Sequence, residues 1–206
     1  MKAAKKSGSL SYNDSTVLFF SILFLIGVLF GTILYRLNSE SADKLSELAG
    51  SFIAGRLEQT FWQTLVNSFA GAFILLLVCF VLGFGAIFQP LEAMIPVFRG
   101  IGLGVSLAGM YSRYGAGGVG ISLVLIVPNG VISALVLIIG VREAMRMSNS
   151  IGAIVFTRKS GFEPVDYKLY FTKFIVLTAI LTVSSLADSL LTFLFAGFWT
   201  RIIFNN

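Results

Sequence analysis

Two charged side chains stand in stretches that are otherwise free of charge: Asp188, inside an apolar run from Phe174 to Trp199, and Arg99, in a run that opens near Ala93. A carboxylate in hydrocarbon must face other helices, find a hydrogen-bond partner or stay protonated, and such residues mark proton relays and ion paths. The sequence offers Asp188 two neighbours at helical spacing, Ser184 and Thr192, or an arginine from elsewhere. A relay needs a second acid, and none is read within a span, so the plainer role for Asp188 is a buried structural carboxylate. Arg99 reads as a snorkelling anchor near the cytoplasmic end of its run, or as half of a helix-to-helix ion pair. Its alternative is a ligand-binding cation. The third feature is Pro128-Asn129-Gly130, in the middle of a run from Val119 to Gly140. Proline removes a backbone hydrogen bond and bends a helix; the freed carbonyl must be satisfied, so this break should face the bundle interior. Interruptions of this kind line transporter sites, and they are also plain architecture.

Other chemistries are poorly served. The chain has no histidine and one cysteine, Cys79, so no metal site, cofactor or intrachain disulfide is expected, and Cys79 reads as a small buried hydrophobe. There is no Ser-His pairing and no pair of carboxylates outside the apolar runs at hydrolase spacing, so catalytic residues are not expected and neither is an enzyme. A phosphate-binding loop of the G-x-x-x-x-G-K type is also missing, so an ATP-driven transporter would need a separate ATPase. The net charge of +5 is spread between apolar runs rather than clustered, which fits orientation signals and not nucleic-acid binding.

The elements that must position these residues follow from composition. Of 206 residues 56% are hydrophobic and only 12% charged, with a mean hydropathy of +0.90, against about 25% charged in soluble domains. An all-α polytopic membrane bundle in a single domain is expected, in contact with membrane lipids. Five spans are read, at about 17–35, 67–88, 93–111, 119–140 and 174–199, with a kinked fourth helix. Gly27 and Gly31 form one G-x-x-x-G pair; Gly100, Gly104 and Ala108 recur every fourth residue along one face of the third span. Such strips let backbones approach closely, holding the bundle or a homo-oligomer together. Pro96 is placed in the first turn of the third span, and a tight corner at Ser112–Gly118 joins it to the fourth. Between the first two spans, Leu45, Leu48 and Phe52 lie on one face of an amphipathic helix, and Trp62 marks the return to the interface. This loop is either a lid on the headgroups or a docking surface for an exterior partner. A second interfacial helix is expected from Arg142 to about Phe156, followed by a Gly161–Pro164 turn. With a cytoplasmic amino terminus, ten of the fifteen basic residues fall inside, so the positive-inside rule chooses N-in, C-out.

The order of elements carries a resemblance. GVLFGTILY in the first span, FRGIGLG opening the third, the Tyr114-Gly115 corner and VPNGVISALVLIIG in the fourth are similar to the stage II sporulation protein M family, over roughly Ile22 to Ser148. The resemblance implies a non-enzymatic component of the engulfment machinery in the bacterial cell membrane. It implies a scaffold that recruits peptidoglycan-remodelling partners, the stage II sporulation proteins P and D or similar cell-wall hydrolases, to the septal membrane. The competing expectation is a transport subunit, with Arg99, the Pro128 kink and Asp188 lining a path.

Overall fold

The computed structural model describes residues 7–37, 60–157 and 166–204. These form five helices: α1 (Ser7–Leu37), α2 (Phe61–Leu82), α3 (Gln89–Leu125), α4 (Val127–Thr157) and α5 (Tyr167–Phe204). No strand occurs among the described residues. Four helices contain stretches long and apolar enough to cross a membrane: Ser15–Leu37, Phe61–Leu82, Gln89–Ser112 and Tyr167–Leu194. Large apolar side chains line their outer faces, among them Leu25, Leu29, Ile74, Phe98, Val183 and Phe193, all more than half exposed. In water such a surface would aggregate; in lipid it is the solvated face. The chain is an all-α membrane bundle.

Local chemistry sets where the helices start and bend. Thr60 begins α2: its N–H is accepted by the Gln63 Oε1 at 3.1 Å and its carbonyl accepts from the Thr64 N–H. Helix α2 therefore starts six residues before the expected position, and Trp62 lies in its first turn, exposed. Pro90, not Pro96, occupies the first turn of α3, where the missing donor is harmless. Pro96 sits inside the helix, buried, contrary to the expectation. Gly115 makes the corner: its φ of 55° and ψ of −136° lie where only glycine is comfortable, and they break α3 in two.

The expected fourth run, 119–140, is divided between the end of α3 and the start of α4 at Ile126. Ile126 keeps right-handed helical angles, and hydrogen bonds continue on either side, from its N–H to Ser122 and from the Gly130 N–H to its own carbonyl. The interruption falls two residues before Pro128, which lacks the N–H that would have bonded the Val124 carbonyl. Beyond Gly140 no separate interfacial helix begins. Val141, Ala144, Met147 and Ser148 continue the inward face of α4 without a break, because no proline or turn intervenes before Thr157. The Gly161–Pro164 turn lies outside the described residues.

Helix α4 is the axis of the core. Val136, Leu137, Ile138 and Val141 are buried against Leu76 and Cys79 of α2 and against Phe174, Leu177 and Leu181 of α5. Helix α1 lies at the edge and packs chiefly on α3. That contact is made by the two glycine strips: a Cβ at Gly27 would stand 2.4 Å from the Val97 carbonyl oxygen, one at Gly31 2.4 Å from that of Ile101. Reciprocally, a Cβ at Gly100 or Gly104 would stand 2.2 Å from the carbonyl oxygen of Phe24 or Val28. The strips are spent on each other inside one chain, and not on a second copy. Ala108, one turn further along α3, is half-buried.

Candidate functional site

The polar residues of the apolar helices converge. Thr64, Asn67, Ser68 and Gly71 of α2, Arg99, Gly102, Leu103 and Ser106 of α3, and Asn129 and Gly130 of α4 line a cavity of about 330 Å³, with Ile126 between the last two helices. The sequence spacing explains the convergence. Asn67, Ser68 and Gly71 share one stripe of α2, Asn129 and Ser133 are one turn apart on α4, and Ser184 and Asp188 one turn apart on α5.

Behind the cavity sits the carboxylate. Asp188 is buried, and its Oδ2 accepts from the Ser68 hydroxyl at 2.6 Å and from the Asn129 side-chain amide at 3.3 Å. The Asn129 Oδ1 in turn accepts from the Ser184 hydroxyl at 3.0 Å. Three helices are thus cross-linked through one carboxylate. Of the neighbours the sequence suggested, Ser184 is linked to Asp188 through Asn129, and the Thr192 hydroxyl donates to the Asp188 backbone carbonyl at 2.9 Å. At the Pro128 break the proline itself is exposed, whereas Asn129 and Gly130 turn inward.

Arg99 stands on the opposite wall. It lies ten residues into α3, about 15 Å from its start at 1.5 Å per residue, so it is deep in the span and not near the cytoplasmic end. Its Nη2 donates to the Ser133 hydroxyl at 2.6 Å, and Ser133 passes its own proton to the Gly130 carbonyl at 3.0 Å. The buried Nε has no acceptor among the described residues, and none of their ion pairs involves Arg99.

Two further acids escaped the sequence reading, which found no second carboxylate in a span. Glu92, in the first turn of α3, is fully buried, with neither side-chain oxygen hydrogen-bonded among the described residues. Glu143, just past the apolar half of α4, is buried beneath a cap of three cations. Its Oε2 meets the Lys173 ammonium at 2.5 Å, and its Oε1 meets Arg142 at 2.7 Å and Arg146 at 3.8 Å. Burial alone would raise its carboxyl, but hydrogen bonds and charges from Lys173 and Arg142 outweigh it and hold the group below its ordinary value. One signal was available: Glu143 falls between Val141 and Ala144 on the apolar face that continues from the span. Nearby, the Tyr170 hydroxyl donates to the Phe80 carbonyl at 2.9 Å within a cluster of Phe80, Phe84, Phe171 and Phe174.

Of the residues expected to dock a partner, Leu45, Leu48 and Phe52 lie outside the described residues. Trp62 is 69% exposed and touches Phe61 edge to face. Cys79 is buried at the helix interface. A family model described as stage II sporulation protein M matches residues 20–200. No curated protein and no solved structure matches the chain.

Proposed function

The chain belongs to the stage II sporulation protein M family, and from that premise we propose that it is a non-enzymatic membrane scaffold of the engulfment machinery. In this reading it recruits peptidoglycan-remodelling partners, the stage II sporulation proteins P and D or similar cell-wall hydrolases, to the septal membrane. The match over 20–200 carries the proposal, because it spans every apolar helix rather than one. Five crossings, with α4 as the enclosed one, put the amino terminus in the cytoplasm and the carboxyl terminus outside. The segment holding Leu45, Leu48 and Phe52, with exposed Trp62 at its end, then faces the exterior and offers the docking surface. Purifying the tagged protein from a sporulating host and identifying what accompanies it tests the reading. A copurifying cell-wall hydrolase is expected; an ATPase in its place would overturn the scaffold.

One observation favours a second reading, a transport subunit: Arg99 and Asn129 line a cavity with Asp188 directly behind it. Asp188→Asn separates the two. The amide retains an oxygen for Ser68 and Asn129 but no longer titrates, so a scaffold keeps its partners and a proton-coupled transporter loses its activity. Loss of the partners from a stably inserted Asp188→Asn protein sinks the scaffold as drawn.

A further inference from the structure

The cavity between α2, α3 and α4 holds a cation whose charge no described residue answers. Arg99 has a single neutral partner, the Ser133 hydroxyl, and its Nε is buried without an acceptor among the described residues. A guanidinium offers five donors in a planar fork, and the groups that match that fork are carboxylates and phosphates. The acid bonded to the cavity wall does not serve. Asp188 is not part of the cavity wall, and the Ser68 and Asn129 donors that cover its Oδ2 stand on the wall between it and the cavity. Away from water a cation without a counter-charge is costly, so a ligand supplying one would bind where that cost is relieved.

The wall itself leaves space. Gly71 and Gly102 both line the cavity and are exposed, and no atom lies within 4 Å of where a Cβ would stand on either. Gly27, Gly31, Gly100 and Gly104 differ in this respect: their missing side chains let helices touch. At positions 71 and 102 the missing side chains leave the cavity accessible from the side, between α2 and α3. We propose that this cavity is a binding site for a small oxyanion, a phosphate or carboxylate group held by the Arg99 guanidinium. The group comes either from a soluble anion or from the headgroup of an anionic lipid. This proposal is independent of the scaffold reading, since it needs no partner protein.

The test uses the full chain in neutral detergent. Inorganic phosphate, acetate and dihexanoyl phosphatidylglycerol are titrated separately, with chloride holding ionic strength constant, and thermal unfolding is followed. A ligand that binds only the folded protein should raise Tm saturably, by roughly 5 °C or more at hundredfold excess over Kd. A response to phosphate or acetate identifies a soluble anion; a response to the lipid alone identifies a headgroup. The Arg99→Gln protein should lose the response. The double variant Gly71→Leu/Gly102→Leu, whose new side chains enter open space, should keep its unliganded Tm within a few degrees and lose at least tenfold in apparent affinity. No saturable shift with any of the three probes overturns the proposal, as does an undiminished response in the double variant.

Discussion

Asp188 and Glu143 show how differently two buried acids can be held. Asp188 accepts from neutral donors, Ser68 and Asn129, which belong to helices distant in sequence. Replacing Asn129 by alanine removes both the amide donor to Asp188 and the acceptor of Ser184, and should cost about 1–3 kcal/mol, read as a fall in Tm in detergent. Glu143 is held by charge. Because its folded carboxyl lies below the ordinary value of 4.5, the stability it contributes is complete above that pH and is lost as pH falls through the folded value. Thermal unfolding measured from pH 6 downward should therefore show Tm falling below about pH 4.5, and Glu143→Gln should flatten that fall. The same variant should cost about 2–3 kcal/mol at neutral pH, since it leaves Lys173 and Arg142 without their buried counter-charge. A pH profile identical to that of the unaltered protein would show that Glu143 is not the group responsible.

At the scale of the helix, glycine has two uses within three residues. Gly100 lies against the α1 backbone, whereas Gly102 looks into open space. Even alanine at Gly100 would place a methyl 2.2 Å from the Phe24 carbonyl oxygen, so Gly100→Ala should cost about 2 kcal/mol or more, while Gly102→Ala should lie within about 0.5 kcal/mol of neutral. Parallel thermal unfolding of the two proteins measures the contrast. Equal Tm values would mean that α1 does not seat on α3 through this strip. Hydroxyls along the lipid-facing helices follow a related economy: Ser21, Thr32, Ser106, Thr178 and Thr182 each donate to the carbonyl four residues earlier. Their protons are satisfied within one helix and ask nothing of the lipid.

For the whole molecule, the proposal of five crossings requires the two ends of the chain to lie on opposite sides of the membrane. Single cysteines placed near residue 3 and residue 205 in a Cys79→Ala background should react with an impermeant maleimide from opposite faces of intact cells; labelling from one side would remove the topology and with it the exterior docking surface. Much of the architecture could be read from the chain alone. Apolar run length, the glycine spacing at 27, 31, 100 and 104, the Gly115 corner and the helix break beside Pro128 are local properties, dictated by hydropathy, helical periodicity and backbone sterics. What escaped was whatever depended on distant partners. That Ser68 would reach Asp188, that Arg99 would lie deep beside Ser133, and that Glu92 and Glu143 would be buried are facts about which helix faces meet. Those meetings join residues up to 120 positions apart. A hydropathy pattern states which face of a helix shuns lipid or water, but only packing decides which neighbour fills that face, because many pairings bury similar apolar area and the polar contacts that discriminate among them form only once the helices have docked.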